Sequence, residues 1–347
     1  MDRFRLCARI AAGVVLLAGA GACSVTVGGD GGDGDAAATG AAQSVALSSW
    51  NEGAARTTIL EFVERVTRQG SPDYVEPRHR VATFDNDGTL WAEKPLYFEF
   101  PFVYERIREL APQNPGWKTQ EPFSKVLSND DVFPPGIVAD DFRPLLIAAM
   151  TGMTQAEFDA QTRAFFATAR HPRFDRSYAE LVYEPMVELL DYLRAHDFDV
   201  HIVSGGTVEF MRAYAEEAYG VPPQNIVGSS FAYEFRDTTG VPAIFRQPNM
   251  TVFNDSAAKP VNIQLHIGRR PILAFGNSDG DIQMLEFATG GARTGLALLI
   301  HHDDAEREYA YDTGAEQALS TAAANGWTVV SIKDDFATVF PPAASRR

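Results

Sequence analysis

Phe84-Asp85-Asn86-Asp87-Gly88-Thr89-Leu90 places two carboxylates, two positions apart, directly after the short apolar run 81–84. The composition and length of this run predict a buried strand. Because side chains two positions apart on an extended chain point to the same side, we expect Asp85 and Asp87 to converge at its carboxyl end. In an open α/β sheet, ligands bind at that edge. The alternative is an acidic turn, since Asn-Asp-Gly also favours turns.

Two carboxylates so close together repel each other, so either a cation lies between them or one of them holds a proton. Both outcomes suit phosphoryl chemistry. Further along the chain, Ser204-Gly205-Gly206 and the Asp-rich loop 277–281 each follow an apolar run, and Lys259 lies between them in a predicted polar loop. Because the carboxyl ends of parallel strands share one edge of a sheet, we expect these groups to lie near Asp85.

The rest of the chain alternates predicted strands with predicted helices. This alternation implies right-handed crossovers and an α/β fold with a doubly wound parallel sheet. The predicted strands are 81–84, 200–203, 226–235, 272–275, 296–300 and 327–332, with a hairpin excursion over 236–247. Apolar residues at helical spacing predict helices over 54–69, 186–196, 208–219 and 281–288.

Residues 91–183 contain no convincing strand pattern, but helical patterns occur at 98–111, 141–150 and 154–170 around a proline-rich loop. An insertion of about 90 residues directly after the first strand is too long for a simple crossover. We therefore predict a separate helical cap over the site. The expected domains are a core of residues 50–94 and 184–347, and a helical cap of residues 95–183.

The composition is that of a globular protein with a full-sized core, since 45% of the 347 residues are hydrophobic and 22% are charged. The formal net charge is −16. This charge argues against nucleic acid or an anionic membrane as a partner of the whole surface. It does not exclude an anionic substrate, because a pocket can be locally positive.

Residues 1–22 are typical of a signal peptide, with three arginines before the apolar, small-residue segment 10–22. That segment is too short for a comfortable membrane span. Ala20-Gly21-Ala22-Cys23 resembles a bacterial lipobox in which alanine replaces the usual leucine. The other cysteine, Cys7, belongs to the same leader, so the part of the chain expected to fold needs no disulfide.

Residues 23–49 consist largely of Gly, Ala, Asp, Ser and Thr, and they contain too few apolar groups to fold. They predict a flexible tether that holds the folded part off a membrane. We therefore expect an extracytoplasmic lipoprotein of the cell membrane, anchored by a lipid on Cys23. Plain secretion and an uncleaved anchor helix are the alternatives.

The order of these polar groups resembles the haloacid dehalogenase (HAD) superfamily, and within it the phosphatases with a helical cap after the first motif, such as phosphoserine phosphatase. Asp85-Asn86-Asp87-Gly88-Thr89 matches the first motif in full. Ser204 and Lys259 fall in the expected order and setting, and the last motif is recognisable but altered. The resemblance covers residues 80–305 and implies a Rossmann-like HAD core with an inserted helical cap.

The resemblance implies a role for each residue of these motifs. Asp85 is the nucleophile that forms an aspartyl-phosphate, and Asp87 protonates the leaving oxygen and then activates water. Mg²⁺ would bridge Asp85, the carbonyl of Asp87 and the phosphate. Ser204 and the Gly205 amide would bind phosphate oxygens. Lys259 would neutralise charge as the phosphoryl group moves.

The last motif departs from the superfamily pattern. When it is aligned on its final acid, the usual first Asp falls on Asn277, and the carboxylates are Asp279 and Asp281. Either Asn277 is a neutral metal ligand, or Asp279 takes that place through a different path of the loop. Asp281 is expected to be a supporting carboxylate. Together with Asp85 and Asp87, these three residues form the candidate metal site.

The resemblance implies a Mg²⁺-dependent phosphomonoester phosphatase acting on a small extracytoplasmic substrate. Dehalogenases of the superfamily lack an acid at the position of Asp87, because carbon–halogen hydrolysis has no leaving oxygen to protonate. Aromatic residues with Glu93 and Glu99 crowd the start of the predicted cap. They either bind a cationic tail, as in phosphocholine or phosphoserine, or form the cap's core. The aromatic residues are Trp91, Tyr97, Phe98, Phe100, Phe102 and Tyr104.

Two other functions are compatible with the sequence. A phosphotransferase or mutase of the same superfamily would form product only with an acceptor, and a lipoprotein with a degraded HAD fold would bind a ligand without catalysis. His301-His302-Asp303-Asp304 is either a metal cluster or a segment at the edge of the site or on the surface. Intact Asp85, Asp87, Ser204 and Lys259 argue against the binding protein, and the helical insertion and extracytoplasmic leader favour hydrolysis over mutase chemistry.

Overall fold

The computed structural model describes residues 47–237 and 240–342. The predicted signal peptide, Cys23 and the predicted tether up to residue 46 lie outside these residues. No helix within the described ranges is long and apolar enough to cross a membrane. The division into a core and a cap at residues 95 and 183 stays a prediction.

An eight-stranded, mostly parallel sheet is the centre of the described fold. The strand order is β4-β3-β2-β1-β5-β6-β7, and β8 pairs with β6. The strands are β1 (Val81–Phe84), β2 (Asp199–Thr207), β3 (Ile226–Asp237), β4 (Pro242–Val252), β5 (Leu273–Gly276), β6 (Leu296–Asp303), β7 (Ala310–Tyr311) and β8 (Thr328–Ser331). The two antiparallel pairs are β3 with β4 and β6 with β7.

Both faces of the sheet are buried. Neighbouring residues of a strand point to opposite faces, and they pack into two different hydrophobic clusters. On β2, Ile202 belongs to one hydrophobic cluster and Val203 to the other. On β5, Phe275 and Ala274 divide between the same two clusters. Burial on both faces is typical of a doubly wound parallel sheet, so the predicted α/β class is confirmed.

The described α-helices cover the sheet and fill the insertion after β1. They are α1 (Ala54–Thr67), α2 (Glu99–Leu110), α3 (Phe123–Leu127), α4 (Ala139–Met150), α5 (Gln155–Thr168), α6 (Glu184–Ala195), α7 (Val208–Arg212), α8 (Ala215–Tyr219), α9 (Ala258–His266), α10 (Ile282–Thr289), α11 (Glu316–Asn325) and α12 (Ile332–Asp335). The helix predicted over 208–219 is interrupted between α7 and α8. Helices α3, α11 and α12 were not among the predictions, and α9 overlaps a stretch, 260–268, whose pattern predicted either a helix or irregular structure.

The strand order reverses at β1, which pairs in parallel with β2 on one side and with β5 on the other. Phe84, the last residue of β1, is in register with Ile202 and Phe275. The segments that follow these positions therefore share one edge of the sheet. A crevice at such a reversal is where ligands bind in open α/β sheets.

The hairpin β3–β4 is longer than the predicted excursion and packs against helices of the insertion. The buried guanidinium of Arg246 on β4 donates to the Met150 carbonyl at 2.6 Å and to Gln155 Oε1 at 2.8 Å. The Arg246 N–H donates to the Met153 carbonyl at 2.9 Å. The hairpin therefore extends the sheet onto α4 and α5, a contact that the local sequence pattern did not indicate.

The chain before α1 is attached to α6. The Ser49 N–H and hydroxyl donate to Glu188 Oε2 at 2.8 and 2.6 Å, and the Trp50 indole donates to the Pro185 carbonyl at 2.8 Å. Leu47 is buried beside them. Residues 47–49, at the end of the predicted tether, are thus packed onto the fold.

Candidate active site

A cavity of about 270 Å³ lies where β1, β2 and β5 end. Its lining combines the loop after β1, the last residues of β2, the start of α9 and the loop after β5, with side chains of α2 and α4 on the other side. The five residues predicted for catalysis and phosphate binding all line it: Asp85, Asp87, Ser204, Gly205 and Lys259. The fold therefore brings together groups that are up to 174 positions apart in the chain.

Lys259 lies between two carboxylates. Its Nζ is 2.9 Å from Asp85 Oδ1 and 2.6 Å from Asp281 Oδ1, and all three side chains are buried. Lys259 is in the first turn of α9, so its predicted place in a polar loop was wrong. Pro260 follows it, and proline is tolerated in the first turn of a helix, where its missing N–H has no partner to lose.

Burial and the charge of Asp281 raise the pKa of Asp85 to about 7, although Lys259 opposes this shift. Burial lowers the pKa of Lys259, but the charges of Asp281 and Asp85 outweigh burial and raise it overall. Lys259 therefore stays protonated. Asp85 is poised between its two protonation states near neutral pH.

Asp87 has a different environment from Asp85. The Trp91 indole donates to Asp87 Oδ1 at 2.8 Å. Burial and the charge of Asp85 raise the pKa of Asp87 well above its ordinary value, and the bond from Trp91 only partly offsets this. The surroundings of Asp87 therefore favour its protonated form, while Asp85 lies beside the ammonium of Lys259. Neighbouring carboxyls with different protonation states can act as acid and nucleophile.

Gly88 allows the loop after β1 to pack against the loop after β5. It has a φ of +71°, and a Cβ placed on it would lie 2.1 Å from Asn277 Nδ2. The next residue, Thr89, donates its hydroxyl to Asn277 Oδ1 at 3.0 Å. Any side chain at position 88 would therefore separate Asn277 from the first loop.

His302, near the end of β6, forms a hydrogen bond to the loop after β1. Its Nε2 is 2.9 Å from the Gly88 carbonyl, and since a carbonyl only accepts, this nitrogen carries the hydrogen. Its Nδ1 is 3.2 Å from Oε2 of the fully buried Glu308. The imidazole is itself buried and stacks on Tyr311 at 4.4 Å. Of the alternatives predicted for 301–304, the edge of the site fits His302, although the sequence did not indicate its bond to Gly88.

The Ser204-Gly205-Gly206 loop is held by residues that the sequence analysis did not single out. Asn254 Nδ2 donates to the Ser204 carbonyl at 3.0 Å, and Ser229 Oγ donates to the Gly205 carbonyl at 2.7 Å. The Gly206 N–H donates to Ser204 Oγ at 3.1 Å. These bonds fix the loop and leave the Ser204 hydroxyl on the cavity wall.

Glu99, the first residue of α2, connects the insertion to the end of β2. Its carboxylate accepts the Thr207 N–H at 3.3 Å and also the Thr207 hydroxyl. Burial raises the pKa of Glu99 to about 6, although both bonds from Thr207 favour the charged form. Glu99 therefore connects α2 to the end of the phosphate-binding loop through hydrogen bonds whose acceptor can be protonated.

The family described as "HAD: haloacid dehalogenase-like hydrolase" matches residues 82–286. This range contains all four predicted motifs and more than half of the chain. The chain belongs to the haloacid dehalogenase-like hydrolase family. This membership confirms the predicted superfamily and the predicted hydrolase class.

Solved structures resemble the fold of this HAD-family hydrolase at low sequence identity. A conserved functionally unknown protein from Anaerococcus prevotii DSM 20548 is 16% identical with a TM-score of 0.54, covering 80% of this chain and 91% of that chain. A phosphoserine phosphohydrolase-like protein from Francisella tularensis is 16% identical with a TM-score of 0.40, covering 72% and 94%. The first likeness supports the fold alone. The comparison with curated proteins finds no match.

The three candidate ligands of the last motif have different surroundings in this HAD-family hydrolase. Asp281 Oδ2 accepts the N–H groups of Asn277 and Ser278, each at 3.0 Å, while its Oδ1 is bound by Lys259. Asp279 Oδ1 accepts the Ala318 N–H of α11 at 2.8 Å. Asn277, by contrast, contacts the first loop. Asp281 thus forms an ion pair with Lys259, and Asp279 forms a hydrogen bond to α11.

The cavity offers hard oxygen donors, which Mg²⁺ prefers. The carboxylates of Asp85, Asp87 and Glu93 line it, and Lys259 is the one cationic side chain among its described lining residues. Within the described ranges, no group of three or more His, Cys, Asp and Glu side chains is arranged to hold a metal. A metal at Asp85 would therefore also use carbonyl or amide oxygens, as predicted. The donor chemistry fits Mg²⁺.

The aromatic residues near the start of the insertion divide into two groups. Five of them are buried in the hydrophobic core, as the core interpretation expected: Trp91, Phe98, Phe100, Phe102 and Tyr104. Phe100 also lines the cavity, together with the exposed Tyr97. Phe253, which the sequence analysis did not single out, joins them there. The cavity is therefore acidic on one side and aromatic on another.

Proposed function

We propose that this HAD-family hydrolase is a Mg²⁺-dependent phosphomonoester phosphatase that acts through an aspartyl-phosphate on Asp85. One observation carries the proposal: two carboxyls of one loop line the same cavity, one beside an ammonium and the other buried where its protonated form is favoured. A nucleophile and an acid are both needed to break a phosphate ester through a covalent intermediate. Asp85, Asp87, Ser204 and Lys259 form what we call the catalytic floor.

In the first step, an oxygen of the Asp85 carboxylate attacks phosphorus, and the bond from phosphorus to the ester oxygen breaks. The leaving oxygen takes the proton of Asp87. In the second step, the Asp87 carboxylate removes a proton from water, which attacks the aspartyl-phosphate. Inorganic phosphate leaves, Asp85 is restored as a carboxylate, and Asp87 is again protonated.

The other groups of the catalytic floor, Ser204 and Lys259, bind the phosphate together with the backbone of Gly205. The Ser204 hydroxyl and the Gly205 N–H are proposed donors to its oxygens, and Lys259 neutralises charge that develops on them. Asp85 and the Asp87 carbonyl would hold Mg²⁺, with Asn277 as the proposed third ligand because it contacts the first loop. When bound, the ion supplies further neutralisation of the phosphate charge.

The substrate is proposed to be small, because about 270 Å³ is below the usual volume of a pocket for drug-sized ligands. Phosphocholine-like and phosphoserine-like esters remain the proposed classes, since aromatic and acidic side chains line the cavity together. Hydrolysis is proposed over transfer to an acceptor or mutase chemistry.

The experiment is phosphate release from p-nitrophenyl phosphate with and without Mg²⁺, comparing the wild type with Asp85→Asn. We expect Mg²⁺-dependent turnover in the wild type and a loss of about 10³-fold or more in the variant, because the nucleophile is gone. Turnover only in the presence of an alcohol acceptor would identify a phosphotransferase. No turnover at any pH would identify a binding protein and overturn the proposal.

The location is a separate proposal: the mature protein is extracytoplasmic and anchored through a lipid on Cys23. The leader 1–22 and the small residues before Cys23 support it. Membrane fractionation of the full chain, comparing the wild type with Cys23→Ser, tests it. Recovery of the wild type in the soluble fraction, without lipid, would favour plain secretion.

A further inference from the structure

Asp255 differs from the other acids of the cavity because, among the described residues, its carboxylate has neither a cationic partner nor a hydrogen-bond donor beyond its chain neighbour. Asp85 has Lys259, Asp87 has the Trp91 indole, and the remaining two acids, Glu93 and Glu99, have partners as well. The carboxylate of Asp255 receives only the hydroxyl of its neighbour Ser256, at 3.3 Å, within the described part of the chain. A negative charge on the lining is thus left for a ligand to compensate.

Two aromatic rings near Asp255 are exposed although they line the cavity. Tyr97 is 45% exposed and Phe253 is 66% exposed. Aromatic faces beside a carboxylate attract organic cations, and quaternary ammonium groups most characteristically.

The same cavity has no spare cation for a carboxylate on the substrate. Lys259 is the one Lys, Arg or His side chain among the described lining residues, and Asp85 and Asp281 already neutralise it. A substrate carboxylate would therefore lie among like charges without a counter-charge, which is unfavourable in a partly buried site. This distinguishes an amino alcohol from a hydroxy amino acid.

We propose that Tyr97, Phe253 and Asp255, which we call the leaving-group wall, bind the cationic end of the phosphate monoester of an amino alcohol. The substrate class is a short alkyl phosphate that carries an ammonium group and no carboxylate. This inference rests on the proposed phosphatase function and narrows it: phosphocholine is the expected type, and phosphoserine is not.

Gly280 supports this assignment from the opposite loop. A Cβ placed on Gly280 would lie 2.2 Å from Asp255 Oδ1, and the Ser256 N–H donates to the Gly280 carbonyl at 3.1 Å. The absence of a side chain at position 280 therefore lets the Asp255 carboxylate occupy its place. Gly280→Ala displaces that carboxylate without removing its charge.

The test compares phosphocholine with 3,3-dimethylbutyl phosphate, which has the same shape but a neutral carbon in place of the nitrogen. In the wild type with Mg²⁺, kcat/KM is expected to be about tenfold or more higher for phosphocholine. Phosphoserine should be a poorer substrate than either. Equal kcat/KM values for the two isosteric esters, or a preference for phosphoserine, would overturn the inference.

Variants locate the preference on the wall. Asp255→Asn should bring the ratio of the two kcat/KM values close to one, Gly280→Ala should lower it, and Phe253→Leu should lower it about threefold. Glu61→Gln is the matched control, because it removes the same charge from an exposed position on α1 outside the cavity. If Asp255→Asn slows both esters equally and raises the Mg²⁺ requirement, Asp255 acts on the metal and the inference is wrong.

Binding separates this inference from the proposed function. Calorimetry on Asp85→Asn, which cannot form the covalent intermediate, measures phosphocholine and its neutral isostere without turnover. Tighter binding of phosphocholine, abolished by adding Asp255→Asn, supports the wall even if the wild type hydrolyses nothing. Equal binding of the two, combined with rapid hydrolysis of both, would refute the wall and leave the phosphatase proposal intact.

Discussion

The catalytic floor and the leaving-group wall line one cavity but are built differently. On the floor the charges are paired: Lys259 is 1% exposed and lies between two carboxylates. On the wall, Phe253 is 66% exposed and Asp255 has no cationic partner in the described part of the chain. A buried charge without a partner is costly, whereas an exposed one is readily solvated until a ligand arrives.

Because of this difference, we expect the floor to determine the rate of the reaction and the wall to determine which ester is preferred. The floor contacts the phosphate, which every substrate has in common, so its groups must be fixed before binding. The wall contacts the part of the substrate that varies, and its exposed rings can be covered by a ligand. Changes to the floor should therefore affect all esters alike, and changes to the wall should affect the ratio between esters.

Asp87→Asn tests the floor most directly. Without the acid and base, turnover should fall by about 10²–10⁴-fold. With p-nitrophenyl phosphate, however, the leaving group needs no proton, so the first step continues and only hydrolysis of the aspartyl-phosphate is slowed. Rapid-mixing absorbance should show a burst of one p-nitrophenolate per active site. A variant that loses the burst together with turnover would argue against separate roles for Asp85 and Asp87.

His302→Ala tests whether the loop of Asp87 depends on support from β6. Removing the imidazole takes the hydrogen bond from the Gly88 carbonyl and leaves Glu308 Oε2 with the Tyr309 N–H, and small displacements of catalytic groups can lower rates about 10²-fold. We expect kcat to fall by that order while KM changes little, equally for cationic and neutral esters. His302→Gln, whose amide can still donate to Gly88, should recover part of kcat. Equal losses in both variants would contradict positioning through Gly88.

Glu99→Gln tests the hydrogen bonds that connect α2 of the insertion to Thr207 at the end of β2. The pKa of Glu99 is about 6 in the folded protein and 4.5 as the reference for the unfolded chain, so the native state holds the proton more tightly. Its contribution to the free energy of unfolding therefore decreases as the pH rises from well below 4.5 to well above 6, by about 2 kcal/mol in total. Glutamine lacks this contribution.

Urea unfolding of the wild type and Glu99→Gln at pH 4.5 and pH 7 measures the effect. The wild type should lose about 1.5 kcal/mol more than the variant between the two pH values. Contributions of Asp85 and Asp87 are present in both proteins and cancel in the comparison. Parallel changes in the two proteins would show that Glu99 does not titrate in this range.

Mg²⁺ affinity should depend on pH because metal and proton compete for Asp85. The pKa of Asp85 is about 7, so below that pH the ion has to displace a proton. The apparent affinity should decrease by up to about tenfold for each pH unit below 7 and level off above it. Calorimetric titrations at pH 6 and pH 8 measure this. Equal affinities would exclude Asp85 as a ligand or place its pKa far from 7.

Local patterns in the sequence were sufficient to predict much of the floor. An apolar run with carboxylates two positions apart determines that Asp85 and Asp87 follow a strand, because the extended chain alternates its side chains. The last motif could not be resolved in the same way. Asn277, Asp279 and Asp281 are within five positions, but their directions depend on Thr89, Ala318 and Lys259, which are far away in the chain.

The wall and the support behind the floor were beyond the reach of local patterns. No sequence pattern near His302 predicts its contact with Gly88, which lies 214 positions earlier. Phe253 and Asp255 follow an edge hairpin whose length and packing on α4 and α5 were not predicted. Burial also had to be known before the aromatic residues could be divided between the core and the cavity.

By itself, the sequence determined the α/β class, the loop of Asp85 and Asp87 at a strand end, and the family, because strand periodicity and motif order are local properties. The tertiary structure alone decided that Lys259 lies between Asp85 and Asp281, that His302 holds the loop of Asp87, and that Asp255 lacks a cationic partner among the described residues. These features depend on distances between remote segments and on how much water each side chain retains. Packing determines both.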